Sequence, residues 1–231
     1  MLKGQALLSL WNGFDPERLD EYDLWHTREH VPERLAIPGM LRARRFHRGQ
    51  GPLPPFLTLY ELESSAVLAS PPYRHLLETP TSWSQRMRPS FRNFFRVGHR
   101  LVLSRGGGSG GALLVATFDS LAGPAGGWQE IAAMVLLETR ATAIHVLAKD
   151  EAVAPVPFAV PAGGVRHADG AALMVECYDR GKLSGIAAAL DAALDSRGMA
   201  AGRCAWTAYE LAYLLDRDEL DEVAGLDGPL G

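Results

Sequence analysis

The chain has 231 residues, a net charge of -4, 47% hydrophobic and 22% charged residues. That length suits one large domain or two small ones, and the apolar fraction is that of a globular protein with a buried core. The charge gives no basis for nucleic-acid binding, no apolar run approaches the ~20 residues of a membrane-spanning helix, and two cysteines, Cys177 and Cys204, are too few for a disulfide scaffold or a zinc motif.

Met1-Leu2-Lys3-Gly4-Gln5 runs straight into a strand without the apolar stretch of a signal peptide, so a reduced, cytoplasmic setting is expected. Ala6–Asn12 reads as that strand, bounded by Gly4 and Gly13. Asp15-Pro16-Glu17 then starts a helix: aspartate caps the free amides and proline fits the first turn. The helix should run to about Val31, with Pro32 kinking or ending it and Pro38-Gly39 stopping any continuation. Strands are expected over 41–48 and 56–62, joined by a Gly/Pro loop. Broken helix comes next over 64–77, interrupted by Pro71-Pro72, then a short helix near 81–87 and extended chain over 91–103. Basic residues bunch at Arg42, Arg44, Arg45, His47 and Arg48, and at Arg86, Arg88, Arg92, Arg96, His99 and Arg100. They read as solvated faces or, more sharply, as the lining of an anion-attracting pocket.

Gly106–Gly111 is a glycine linker and the clearest boundary in the chain; no Lys-Ser/Thr comes after it, so it is not a phosphate loop. Beyond it strands are expected over 112–118, 142–149, 171–178 and 205–215, and helices over 127–139 and 183–196. The segment 154–170 is a Pro/Gly loop, and 216–231 is an acidic tail. The order βαββαβ therefore occurs twice, over 1–105 and 112–215. This is the ferredoxin-like pattern: two four-stranded antiparallel sheets, each with helices on one face, packed against each other.

Glu21-Tyr22-Asp23-Leu24-Trp25 through His30-Val31-Pro32, then Ile37-Pro38-Gly39 and a strand ending Arg45-Phe46, resembles the motif of EthD-like members of the dimeric α/β-barrel superfamily. The first repeat matches over most of its length, the second only in the order of its elements. The resemblance implies an α+β fold built as an intrachain pseudo-dimer, and it makes His30 the counterpart of the family's helix histidine. Relatives of this fold include cofactor-free monooxygenases, cyclases, dehydratases, decarboxylases and isomerases, so fold alone does not choose a reaction.

On a helical wheel Leu19, Tyr22, His26, Glu29, His30 and Glu33 share one side. Two histidines, two carboxylates and a tyrosine suit a pocket wall between helix and sheet; the bland alternative is a helix surface with satisfied histidines. Histidine moves protons near neutral pH, which makes His30 the candidate general acid/base, with His26 and Tyr60 assisting and Glu29 orienting. Trp11, Tyr60 and Phe46 would flank a flat ligand beside Tyr22, with Arg44 or Arg45 holding a carboxylate or phenolate and Tyr73 and Trp83 forming a lid. His145 and His167 are read as structural. His26-Thr27-Arg28-Glu29-His30 also spells H-x-x-E-H, a zinc-peptidase pattern with no evident further ligand.

The leading expectation is thus an enzyme without a bound organic cofactor or metal, doing acid/base chemistry on an aromatic or unsaturated oxygenated small molecule. A non-catalytic binding module and a zinc hydrolase using His26 and His30 are the alternatives. The chain would act as a monomeric pseudo-dimer or a homodimer recruited through outer strands, with neither nucleic acid nor membrane as partner.

Overall fold

A computed structural model describes residues 2–154 and 169–220. His167, most of the Pro/Gly loop and the tail beyond Leu220 lie outside the described residues. In the first repeat β1 (Ala6–Phe14) leads through α1 (Leu19–Trp25) and α2 (Val31–Leu35) to β2 (Met40–Gln50) and β3 (Phe56–Leu62), then through α3 (Pro71–Glu78) and α4 (Ser82–Met87) to β4 (Phe91–Gly106). The second repeat runs β5 (Ala112–Phe118), α5 (Ala125–Glu138), β6 (Ala141–Lys149), β7 (Ala171–Cys177), α6 (Leu183–Ser196) and β8 (Thr207–Asp216).

The two sheets do more than pack. Their edges pair across the repeats, β2 with β8 and β4 with β6, giving one closed antiparallel barrel in the order β1-β3-β2-β8-β5-β7-β6-β4. Closure leaves no open edge among these strands, so the expected recruitment of a second chain by edge pairing has no strand to use. β5 and β7 are sealed on both faces, by the barrel interior and by the helices. This is why they are buried at every position and read as continuous apolar runs rather than alternations. The glycines between the repeats are built into this closure: a Cβ on Gly110 would lie 2.4 Å from the Cys177 carbonyl oxygen, and the Gly110 amide donates to Glu176 Oε2 at 2.8 Å.

The barrel interior is apolar around Trp11, Phe46, Leu57, Leu113 and Tyr209, with an ionic cluster set into it. Arg44 Nε lies 2.8 Å from Glu61 Oε1, and its Nη1 2.8 Å from Glu176 Oε1. Glu176 also meets His145 Nε2 at 3.0 Å, and His145 Nδ1 meets Ser104 Oγ at 2.9 Å. The two ring nitrogens of His145 thus bridge the carboxylate and the serine. Glu61 lies opposite Leu7 and Glu176 opposite Leu113, so the two carboxylates hold equivalent places in the two repeats. Arg44 and His145 are likewise equivalent, opposite Leu59 and Met174. Arg44 is 1% exposed and Glu61 fully buried, so the cluster is desolvated.

Burial by itself would raise the Glu176 carboxyl, but the hydrogen bond from His145 and the charge of Arg44 outweigh it and hold it at about 2. This contribution is complete above the ordinary value of 4.5 and is lost as pH falls through about 2. Wild-type thermal stability should therefore fall between those values, and Glu176→Gln should flatten that part of the profile. Arg44→Met strands two carboxylates in the barrel and should cost about 3–5 kcal/mol in urea denaturation at neutral pH.

Candidate active site

The first helix departs from a regular α-helix where it carries its histidines. Asp15 caps its 3-10 entry, with Oδ1 accepting from the Glu17 amide at 3.1 Å. After α1 the turn His26–His30 widens to a π-helix, with the Val31 amide donating to the His26 carbonyl five residues back. Pro32 comes directly after, and contrary to expectation the helix runs past it to Leu35. Proline has no N–H to donate, and its ring crowds the carbonyl four residues earlier; a widened turn ahead of it relieves both constraints. The same turn sets His26 and His30 side by side, ring centroids 5.2 Å apart, with Trp25 4.1 Å from His30.

Both histidines line a cavity of about 80 Å³ between the helices and the outer face of the first-repeat sheet. Strand register makes its floor: Leu8 beside Tyr60, and Leu10 between Thr58 and Arg96. Asn12 closes one end, donating through Nδ2 to the Tyr22 hydroxyl at 3.1 Å. Tyr73, Leu76 and Leu77 of α3 and Ser84 of α4 cover it. Pro71-Pro72 do not interrupt a helix, as expected from the sequence, but begin α3, whose cap is Ser70 (Oγ accepting from the Tyr73 amide at 3.4 Å). Proline suits a first turn, where its missing N–H has no partner to lose.

The structure brings together His26, His30, Tyr22, Tyr60 and Tyr73 of the anticipated residues and separates the rest. Trp11, Arg44 and Phe46 lie on the other face of their strands, inside the barrel; Trp11 stacks on Phe95 with centroids 4.7 Å apart. Arg45 is on the helix side, its guanidinium 4.5 Å from the Tyr22 ring centroid and paired with Asp23. Glu29 turns from the cavity to accept from Trp25 Nε1 at 3.1 Å and Thr81 Oγ1 at 2.6 Å, tying the first helix to the cover. Trp83 donates to Glu21 Oε1 at 3.1 Å and packs near Phe14 and Met87 instead of forming a lid. Glu33, on the histidine side of the helical wheel, and Arg88 and Arg96, from the second basic bunch, also line the cavity, as do Asn12, Thr58 and Arg34, which the sequence pattern does not single out. Arg34 was findable, since it continues the four-residue step of His26 and His30.

Burial, reinforced by Arg45 and Arg34, drives the His26 imidazole well below its ordinary 6.5. His30 is driven the same way by burial, then by Arg34, His26, Arg88 and Arg45. Burial raises the Tyr60 phenol. At neutral pH the cavity thus presents two neutral imidazoles and an intact hydroxyl. The Nδ1 atoms of His26 and His30 and the hydroxyl of Tyr60 are buried with no hydrogen-bond partner, while His26 Nε2 lies 3.4 Å from Thr58 Oγ1. The zinc reading lacks ligands: among the described residues no three His, Cys, Asp or Glu side chains converge on one point.

This is the dimeric α/β-barrel fold, closed within one polypeptide. No protein-family model and no curated protein matches the sequence. Solved structures match over nearly the whole chain. An anthrone oxidase-like protein is 12% identical with a TM-score of 0.61, covering 94% of this chain and 95% of its own. A candidate monooxygenase from Fusobacterium nucleatum is 8% identical with a TM-score of 0.58, covering 93% and 96%. Chlorite dismutase from Candidatus Nitrospira defluvii is 12% identical with a TM-score of 0.55, covering 96% of each. At these identities the likeness is one of fold. No helix among the described residues is long and apolar enough to cross a membrane.

His26 and His30 should stay neutral in histidine NMR spectra from pH 8 to about 6, where an unperturbed ring has begun to charge. The unfolded chain takes up these protons first, so stability should fall as pH drops below the ordinary 6.5. Two rings that titrate normally would contradict this account of the cavity.

Proposed function

We propose that the cavity under the first helix is the active site of a small-molecule enzyme. It moves a proton on an aromatic or unsaturated oxygenated substrate and needs no bound organic cofactor. The observation that carries this reading is the set of buried, unpartnered polar atoms, His30 Nδ1, His26 Nδ1 and Tyr60 Oη, in one apolar cavity. Each such atom costs the fold about 1–3 kcal/mol, and a ligand that pairs with them recovers that energy. His30, neutral at physiological pH, takes a proton from a phenolic hydroxyl or an acidic C–H. Tyr60 donates to the oxyanion that forms, and His26, beside Thr58, assists. The guanidiniums that keep the imidazoles neutral also stabilise the anion.

The monooxygenase and anthrone oxidase-like neighbours favour oxidation of such an anion by dioxygen. Dehydration, cyclisation and isomerisation begin with the same proton abstraction. The cavity is smaller than the ~300–1,000 Å³ of most ligand sites, so a substrate must displace part of the α3–α4 cover. We further infer that the two repeats work as one pseudo-dimeric unit, with the site confined to the first.

Oxygen uptake and absorbance changes across a panel of hydroxylated aromatics test this reading. His30→Ala should lower kcat/KM roughly 10²–10⁴-fold, with ligand binding changed only a few-fold. Tyr60→Phe should have a smaller effect. A wild type that binds ligand without turnover, and an H30A variant that loses binding, would make the site a receptor instead.

A further inference from the structure

The cavity has an uneven charge. Among the described residues its walls carry three guanidiniums, Arg34, Arg88 and Arg96, against one carboxylate, Glu33. Arg34 is buried; its Nη1 donates to Glu33 Oε1 at 2.9 Å and reaches the His30 carbonyl at 3.4 Å, so the carboxylate is already engaged. Arg96 stands opposite Leu10 on the floor, its guanidinium 6.0 Å from the Tyr73 ring centroid. Arg96 has no ion pair or hydrogen bond among the described residues, and its Nε is buried and unpartnered. The neighbouring imidazoles are neutral, so they add no compensating charge of either sign.

Neither Arg44 nor Arg45, the two arginines expected to hold a carboxylate or phenolate, is available. Arg44 is held by Glu61 and Glu176 inside the barrel, and Arg45 by Asp23 and the face of Tyr22. The free positive charge is therefore at the floor, next to the Tyr73 cover, and within the same enclosure as His30 and Tyr60.

We propose that the substrate is an acid: an aromatic or unsaturated molecule whose carboxylate is held by Arg96, in the positive field of Arg34 and Arg88, while its oxygenated ring faces His30 and Tyr60. This rests on the proposed function and narrows its substrate class. An Nε-plus-Nη edge is the geometry in which arginine grips a carboxylate with two parallel hydrogen bonds. The apolar surroundings, Leu8, Leu10 and Leu77, strengthen that grip by excluding water.

The test pairs salicylate with salicylamide, which has nearly the same shape without the charge, in calorimetric titrations of the full chain. Wild type should bind salicylate at least about ten-fold more tightly than the amide, as expected for one charge-assisted hydrogen-bond pair. Arg96→Gln should abolish that ratio while leaving the salicylamide affinity nearly unchanged, and Arg96→Lys should retain part of it; circular dichroism checks that each variant folds. A ratio near one in wild type, or a ratio that survives both R96Q and R34Q, overturns the inference and leaves the pocket reading standing on amide binding. Binding of neither compound, with no turnover sensitive to His30, removes the pocket reading and this inference with it.

Discussion

One guanidinium inside the barrel serves a carboxylate from each half of the chain. Arg44 sits between Glu61 of β3 and Glu176 of β7, and all three side chains are buried. A buried cation is tolerated only where its partners are fixed, so the strand register that aligns these groups is tightly specified. A slip of β2 by one residue would send Arg44 to the helix side and Arg45 into the barrel. The contacts of both arginines would be broken at once. The same register keeps Arg45 on the helix side, against the face of Tyr22 beside the cavity.

The two repeats answer the same architectural demand differently. In the second, α5 and α6 cover the sheet with an unbroken apolar layer, in which Trp128 meets Phe118 edge to face and alanines fill the close approaches. In the first, the corresponding space holds histidines, arginines and tyrosines around a void. The apolar half closes the barrel and supports the sheet; the polar half gives up packing and hydrogen-bond satisfaction around its cavity. Such local disagreement with folding rules is characteristic of functional sites.

Much of the fold was legible in the sequence. Strands such as Phe56–Leu62 and Ala171–Cys177 are apolar runs closed by glycine, proline or charge, and their bounds are nearly those expected. The assignment of faces was not. In a barrel covered by helices both faces of a strand are buried, so the usual polar–apolar alternation that marks inside from outside is missing. Trp11 and Phe46 look like ligand-flanking aromatics until the register turns them inward, and nothing local distinguishes Arg44 from Arg45. On the helix the four-residue step correctly gathers His26 and His30, yet Glu29 is drawn off by Trp25 and Thr81, the latter on an element whose position no sequence pattern gives. Pro32 misleads because a proline tolerated by a widened turn looks the same in sequence as one that ends a helix.

Barrel closure also imposes an order of events on the growing chain. Arg42 and Asp216, hydrogen-bonded across the β2–β8 seam, are 174 residues apart. When the first repeat leaves the ribosome its sheet has two bare margins, β2 and β4, and their partners β8 and β6 have yet to be made. Long-range pairing of this kind is slow, and unpaired strand margins are the surfaces through which nascent chains aggregate. Basic side chains along β2 and β4 are of the kind that discourages pairing of such margins with other chains while they wait.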